Sequence, residues 1–366
     1  MTNDLVYQLA LTLVPNIGDV HAKALINFYG DAESVFKAKK RDLENMDGIG
    51  SVRANNIKSF TCFDSCAEEI KFLEQYRIAT LFITDEKYPR RLLNCYDSPT
   101  MLYYRGNADL NTAKIVSVVG TRNHSDYGKL VCEKFIEDLG QENILVISGL
   151  AFGIDTIAHK TSLKNNLKTV GVLAHGLDRI YPPQNQHLAK QMVDNGGLLT
   201  EFMTNTVPDK QNFPKRNRIV AGMCDAVVVI ESGKKGGSLI TAELANNYNK
   251  DVFAIPGRTI DNKSEGCNYL IKNNKAALLT SASDLLELMN WTATKKSSPK
   301  KQRELFIELT ANEKIVVDIL QLQESIQIDQ LYFRSGLSSS AVAAALLMLE
   351  MQSVVISMPG KVYRLA

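Results

Sequence analysis

The chain has 366 residues, of which 45% are apolar and 22% charged, and its formal net charge is +2. This length exceeds what one hydrophobic core usually spans, so two or three domains are expected. No apolar run is long enough to cross a bilayer and the first residues lack the pattern of a secretory signal, so we expect a cytoplasmic protein without membrane association. The six scattered cysteines predict reduced thiols, with no metal and no cofactor.

Residues 1–60 predict a helical domain of the helix-hairpin-helix or SAM-like type. Two glycine turns lie between apolar helices, at 14–22 and 46–54. Such turns can offer backbone N–H groups to a phosphate. The segment carries seven cations and seven acids, and this balance favours a packing role over DNA contact. Both interpretations stay open at this point.

Residues 61–290 predict an α/β domain with an extended, Rossmann-like, mostly parallel sheet. A strand at 79–84 precedes a series of short apolar strands that alternate with helix-length segments. These strands lack polar alternation, as expected when helices cover both faces of a sheet. They are predicted at 115–119, 144–148, 169–174, 198–202, 226–230, 252–255 and 277–279. Ligands of such sheets bind beyond the carboxyl ends of the strands.

The remaining residues predict a linker and a winged-helix domain. Residues 291–303 carry five cations, no acid and no periodic pattern, which is typical of a linker. Residues 304–366 predict three helices followed by a β-hairpin, with four cations against seven acids. The third helix, at 338–351, has no cation, so we expect it to pack or to contact protein rather than to read DNA.

The turns after the strands of the main sheet carry glycines and cations. The densest cluster is at 213–222, where three cations follow an aromatic residue. Cations attract phosphate, an aromatic ring stacks on a base, and a helix beginning near Ser238 directs its free N–H groups to the same place. The pattern predicts a pocket for a nucleotide or single-stranded nucleic acid. The predicted phosphate- and base-binding residues are Gly120, Thr121, Arg122, Gly149, Phe213, Lys215, Arg216, Asn217, Arg218, Lys234, Lys235, Gly237, Ser238 and Thr241.

Several of these residues have a second interpretation. Arg216 and Arg218 can divide their roles, one facing phosphate and the other pairing with an acid such as Asp155. Phe213 is either a core side chain or a base-stacking platform. Asp155 and His159 are one helical turn apart, but an acid at a helix start more often orients a loop or pairs with an arginine than serves in catalysis.

The motifs at 120–122, 148–159, 176–182, 213–222, 237–241 and 253–257 resemble those of the bacterial DNA-processing protein A family (DprA, also called Smf). The chain has Gly-Thr-Arg where the family has Gly-Ser-Arg, which keeps the arginine. The resemblance implies phosphate contacts for Arg122, Lys215 and Arg218 and a base contact for Phe213. It also implies a single-stranded DNA-binding protein that protects incoming DNA in natural transformation and loads the RecA recombinase.

The same resemblance implies further partners. The protein would antagonise single-strand-binding protein and form a homodimer through the Rossmann-like domain. We expect the helix after residues 266–271 to supply the dimer face, and the predicted interface residues are Asn268, Ile271 and Ala277.

An enzymatic alternative rests on residues 236–243. They faintly resemble a loop of the lysine-decarboxylase-like nucleotide phosphoribohydrolases, which use a glutamate and an arginine on nucleoside monophosphates. Glu243 would be that glutamate, but the third glycine is absent and the threonine is displaced. The sequence offers no convincing nucleophile, metal cluster or general base, so a non-enzymatic single-stranded DNA binder is the favoured hypothesis.

Overall fold

The computed structural model describes residues 4–140, 142–292, 309–323, 325–352, 354–358 and 360–365. They form two compact units, Met1–Trp291 and Thr292–Ala366. The predicted linker at 291–303 lies outside the described residues from position 293 onward.

A nine-stranded sheet is the centre of the first unit. Its spatial order is β1-β2-β6-β5-β4-β3-β7-β8-β9. The pairs β1–β2 and β2–β6 are antiparallel, and the pairs from β6 through β9 are parallel. The strands are β1 (Ala79–Phe82), β2 (Met101–Gly106), β3 (Ile115–Val119), β4 (Leu145–Ser148), β5 (Thr169–Val172), β6 (Gly196–Thr200), β7 (Ala226–Val229), β8 (Asp251–Ala254) and β9 (Ala277–Leu278). The predicted α/β fold with a mostly parallel sheet is confirmed.

The central strands are apolar on both faces because each face belongs to a different core. Along β3, Ile115 and Val119 belong to one cluster of buried side chains. Val116 and Val118 belong to the cluster on the other face. This arrangement explains why the strands show no polar alternation.

Helices cover the sheet and connect its strands. Those of the sheet region are α7 (Arg90–Leu93), α8 (Asp126–Leu139), α9 (Ile154–Lys164), α10 (Gln186–Asp194), α11 (Asn212–Gly222), α12 (Gly237–Asn247), α13 (Glu265–Lys272) and α14 (Ala282–Leu288), with a short 3₁₀ turn at Pro183–Asn185. The parallel order puts the starts of α9, α11 and α12 near the carboxyl ends of the strands, where the predicted motifs lie.

The N-terminal residues of the first unit are helical. The helices are α1 (Asp4–Leu13), α2 (Asp19–Tyr29), α3 (Ala32–Lys37), α4 (Lys40–Glu44), α5 (Gly50–Lys58) and α6 (Phe63–Gln75). Arg53 joins the two glycine turns, because its guanidinium donates to the carbonyl oxygens of Asn16 at 2.9 Å and Gly48 at 3.1 Å. The two predicted hairpins therefore pack side by side.

The second unit has the predicted winged-helix layout. Its helices are α15 (Ala311–Gln321), α16 (Ile328–Ser335) and α17 (Ser339–Met351), and its strands are β10 (Ile326–Gln327), β11 (Val355–Met358) and β12 (Val362–Leu365), in the order β10-β12-β11. Thr310 and Glu313 form a capping box at the start of α15. In the described part of the chain, no single helix is long and apolar enough to span a membrane. Helices α16 and α17 together meet the length and composition of a membrane span, but the chain bends by 114° between them.

Candidate nucleic-acid interface

A cleft of about 470 Å³ lies at the carboxyl ends of the central strands. Its walls are the turns after β3 and β4 and the first turns of α11 and α12. Most of the predicted binding residues line it, namely Gly120, Thr121, Arg122, Gly149, Phe213, Arg216, Asn217, Gly237, Ser238 and Thr241. Residues from four separate segments of the sequence thus meet in one place.

Arg122 and Phe213 form a stacked pair in the cleft. The guanidinium carbon of Arg122 lies 5.0 Å from the centroid of the Phe213 ring. A cation at this distance from an aromatic face is attracted by the ring. Arg122 is exposed, and among the described residues no carboxylate is within salt-bridge distance of it. Its charge is therefore available to an anion.

The start of α12 offers backbone N–H groups to the cleft. Its N-cap, Gly236, has extended geometry and no side-chain cap. Gly237 is exposed, and a Cβ atom built on it would meet no atom within 4 Å. The positive end of the helix dipole and the free N–H groups there suit an anion.

Carboxylates lie beside the starts of two other helices of the sheet region. Glu231 accepts a hydrogen bond from the backbone N–H of Ser125, the N-cap of α8, at 2.8 Å. Asp155, in the first turn of α9, accepts from the N–H of Ala151 at 3.3 Å. Of these three helix starts, that of α12 is the one without a carboxylate.

Arg216 forms the floor of the cleft and is 4% exposed. Its Nη1 donates to the carbonyl oxygens of Gly149 and Val172, and its Nε donates to Asn217 Oδ1 at 3.1 Å. Burial lowers the pKa of Arg216 to about 10, an effect that Asp155 opposes, so the side chain is charged at neutral pH. It supplies positive potential beneath the cleft, while its Nη1 and Nε groups already donate to Gly149, Val172 and Asn217.

Gly149 has a packing role that the sequence analysis did not foresee. A Cβ atom at this position would lie 2.2 Å from Arg216 Nη1. The glycine therefore makes room for the buried guanidinium, and its contact with phosphate stays a prediction.

Arg218 lies outside the cleft, in a groove that Lys215 also lines, and its phosphate contact stays a prediction. Its guanidinium forms a salt bridge with Glu201 and another, at 3.0 Å, with Asp19. Residues two apart on a helix are separated by about 200°. Because Arg216 faces the cleft, Arg218 must face the opposite side, where it pairs with acids.

Asp19 also explains the role of the first glycine turn. Its carboxylate accepts from the backbone N–H of Thr100 at 2.8 Å and from its hydroxyl at 2.9 Å. The start of α2 is thus fixed against the sheet region, and this geometry favours the packing interpretation for the first hairpin.

The predicted lysines lie around the cleft rather than in it. Lys215 is exposed and lines an adjoining groove that shares Pro214 with the cleft. Lys234 and Lys235 are exposed on the loop that leads into α12. Lys210, which the sequence analysis missed, is exposed and lines the cleft itself. Because Lys210 is a single lysine in a polar loop, no local cluster of cations indicated it as a binding residue.

Asp155 and His159 do not form an acid–base pair. His159 is fully buried, and its Nδ1 lies 2.6 Å from Thr169 Oγ1. Because the Thr169 hydroxyl donates to the carbonyl of Val146, Nδ1 carries the proton. Burial and the charge of Arg216 lower the pKa of His159 to about 3. His159 is therefore a neutral structural residue.

A pH dependence of stability follows from His159. Its pKa is lower in the folded protein than in the unfolded chain, so the unfolded state takes up a proton first as the pH falls below about 6.5. We expect His159 to reduce the free energy of unfolding by about 2 kcal/mol between pH 7 and pH 5. Denaturant titrations of the wild type and His159→Gln should show a flatter pH dependence for the variant. Parallel curves would contradict this role. Burial raises the pKa of Asp155, and this shift stabilises the fold as the pH falls in both proteins, so it does not affect the comparison.

The predicted dimer residues have different environments. The Asn268 side chain accepts from the backbone N–H of Gly257 at 3.2 Å and donates to its carbonyl at 3.1 Å. Ile271 is half-buried and packs against the core. Ala277 is exposed on the edge strand β9. Their role in a dimer stays a prediction.

The alternative enzymatic residue, Glu243, lies away from the cleft lining. Its side chain is 66% exposed and pairs with Lys275 at 3.8 Å. Asp155 is the carboxylate that lines the cleft. The position of Glu243 therefore gives the phosphoribohydrolase hypothesis no support.

Comparisons with known proteins give matches in both units. The family model of DNA recombination-mediator protein A matches residues 79–290, and that of the DprA winged helix domain matches residues 300–361. DNA processing protein DprA of Streptococcus pneumoniae is 40% identical over 272 residues, which cover 69% of this chain and 96% of that protein. Protein Smf of Synechocystis sp. is 36% identical over 288 residues, or 75% of this chain and 70% of that protein.

Solved structures show the same relationship. The X-ray structure of DprA from Streptococcus pneumoniae has a TM-score of 0.68 at 34% identity and covers 78% of this chain and 98% of that one. DprA from Helicobacter pylori, described for its single-stranded DNA binding mode, has a TM-score of 0.54 at 29% identity and covers 59% of this chain and 96% of that one. With a family model over more than half of its length and relatives aligned over most of theirs, the chain belongs to the DNA recombination-mediator protein A (DprA) family.

Proposed function

We propose that this protein binds single-stranded DNA, without catalysing a reaction on it, in the cleft between the β3 turn, α11 and α12. The observation that carries the proposal is the Arg122–Phe213 stack beside the free start of α12. It brings a cation, an aromatic face and a helix dipole into one cavity of about 470 Å³. These are the features that bind a phosphate and a base of the same strand.

Single-stranded DNA suits this cleft better than duplex DNA. In a duplex the faces of the bases are covered by their stacked neighbours, so the Phe213 ring could reach a base only after the base had left the stack. A single strand presents bases and phosphates together and needs no such opening. The Helicobacter pylori relative, described for single-stranded DNA binding, supports the same choice.

Phosphate and base contacts are divided between the parts of the cleft. The start of α12 and the Arg122 guanidinium would hold phosphate, and Phe213 would stack on a base. Lys210, Lys215 and the lysines before α12 would draw the strand to the cleft mouth. Because the net charge is only +2, affinity must come from this local cluster.

Membership in the DprA family supports a proposal for the finer cellular role. We propose that the protein protects incoming DNA during natural transformation, displaces single-strand-binding protein and loads RecA in the cytoplasm. We further propose a homodimer that uses α13 and β9, where exposed Tyr269 and Leu278 accompany the predicted interface residues. Binding through the backbone of the strand does not depend on the base sequence. Transfer of any incoming strand to RecA requires this independence.

The proposal is tested by comparing labelled single-stranded and duplex oligonucleotides of the same sequence over a series of salt concentrations. We expect tighter binding of the single strand and an affinity that falls linearly with salt on logarithmic axes. Equal or tighter binding of the duplex, or an affinity independent of salt, would contradict the proposal.

A substitution at the start of α12 should change stability and binding in opposite directions. Gly237→Asp places a carboxylate where we propose a phosphate, in open space. It should raise the free energy of unfolding by about 0.3–1 kcal/mol through the helix dipole, yet weaken single-stranded DNA binding roughly tenfold or more. Gly237→Asn is the matched control, since its side chain has nearly the same size and no charge. Equal affinities for the two variants would exclude phosphate from this position.

A further inference from the structure

We infer that Tyr181, with Phe152 beside it, forms a second base-stacking site adjacent to Phe213, so that the protein holds a second nucleobase of the bound strand. This inference rests on the proposed function. Tyr181 lies in a turn after β5 for which the sequence predicts only rigidity, because two prolines follow it.

The geometry of the aromatic residues carries the inference. The ring centroids of Tyr181 and Phe213 are 6.2 Å apart, with an interplanar angle of 58°. Tyr181 and Phe152 are each 43% exposed, so their rings are accessible to a base. Both line a slit that also includes Arg122 and Phe213. Two exposed aromatic faces therefore flank the residues proposed to hold the first base.

The slit continues the main cleft in the direction away from α12. Arg122, Gly149, Phe213 and Arg216 line both cavities, whereas α12 lines only the cleft and Tyr181 only the slit. The proposed phosphate site and the Tyr181 ring thus lie in two different cavities that share the Arg122–Phe213 stack. A strand that crosses the stack would reach Tyr181 next.

The turn that carries Tyr181 is held in place from below. The N–H of Tyr181 donates to His175 Nε2 at 3.2 Å, and His175 Nδ1 donates to the carbonyl of Gly176 at 2.9 Å. Burial lowers the pKa of His175, so the ring stays neutral and Nε2 remains an acceptor. A fixed backbone under an exposed ring reduces the entropy lost when a base stacks on it.

The size of the slit indicates where the base would lie. Its volume of about 20 Å³ has room for little more than a water molecule. A base therefore does not insert between the Tyr181 and Phe213 rings. It stacks on the outer face of Tyr181, with Phe152 as the neighbouring wall.

The test combines aromatic substitutions with modified oligonucleotides. For Tyr181→Ala we expect a roughly 5- to 100-fold loss of affinity for oligo-dT, whereas Tyr181→Phe should bind like the wild type. Tyr76→Ala is the matched control, because Tyr76 is similarly exposed at 42% but does not line either cavity. Unfolding curves of all variants establish that the fold is retained.

A base-specific readout separates stacking from a structural effect. A series of oligonucleotides, each with one abasic position, should contain one position at which wild-type affinity falls and Tyr181→Ala shows no further loss. If Tyr181→Ala binds every oligonucleotide like the wild type, or if no abasic position removes its effect, the second site is refuted. Arg122→Ala, measured in parallel, tests the proposed function itself: loss with Arg122→Ala but not with Tyr181→Ala would overturn only the second site.

Discussion

Replacing Arg122 with alanine should weaken single-stranded DNA binding roughly 10- to 100-fold, the value of one or two charge-assisted hydrogen bonds. Glutamate at this position should weaken it further, because it would repel the phosphate. The side chain is exposed and in the described residues forms no salt bridge, so the free energy of unfolding should change little. Titrations over several salt concentrations should also show a slope smaller by about 0.7, as expected for one lost phosphate contact.

The matched control for this variant is Arg41→Ala. Arg41 is exposed on α4, and it lines neither the cleft nor the adjoining groove. Its loss removes the same charge from the whole molecule but not from the proposed site. If both variants lose affinity equally, binding depends on overall charge, and the assignment of Arg122 to a phosphate fails.

Replacing Arg218 with alanine should instead destabilise the fold. The change would leave Glu201 and Asp19 without their cation, and the side chains of Arg218 and Glu201 are each only 11% exposed. Removing one partner of a buried ion pair costs about 3–5 kcal/mol. Denaturant unfolding measures this loss, and Arg218→Met combined with Glu201→Gln should recover part of it, since no buried charge is then left unpaired there.

The pH dependence of this variant provides a second test. Burial already raises the pKa of Glu201, and Arg218 is the largest opposing influence. Without Arg218 the folded-state pKa of Glu201 rises further above its unfolded value. The folded protein then holds the proton more tightly, so stability is lost as the pH rises, and the deficit of Arg218→Ala should be smaller at pH 5 than at pH 8. If Arg218→Ala keeps its stability and loses only DNA affinity, the result would assign Arg218 to the DNA-binding surface.

The sheet could be predicted from the sequence because its strands are buried on both faces. Ile115–Val119 is a continuous apolar run, and its alternate side chains enter two different cores. The convergence of the turn residues on one cleft followed from the same inference, since parallel strands bring their carboxyl ends to one edge. The first prediction needed only the apolar pattern of the strands, and the second needed only the direction of the backbone.

The roles of individual arginines required tertiary contacts that the sequence does not contain. The partners of Arg218 are 199 and 17 positions away along the chain. Helical periodicity alone shows that Arg216 and Arg218 face different sides of the helix. It does not show which of the two faces the cleft. Likewise, Gly149 resembles a phosphate-binding glycine until the buried Arg216 is seen beside it.

The start of α12 was predicted to face the cleft, but its difference from the other helix starts could not be predicted. Glycines and helix starts follow several strands in the sequence. Only the structure shows that Glu231 accepts from the N-cap residue of α8 and that Asp155, in the first turn of α9, accepts from the loop before it, whereas the first turn of α12 has no acidic residue.

Photo-cross-linking tests the central claim most directly, because it locates the bound strand on the protein. An oligonucleotide that carries 5-iodouracil at successive positions would be bound to the full chain, irradiated and analysed by peptide mass spectrometry. We expect cross-links to Phe213, which we propose contacts the base beside Arg122. Cross-links confined to α17 of the winged helix, or to the N-terminal glycine turns, would contradict it.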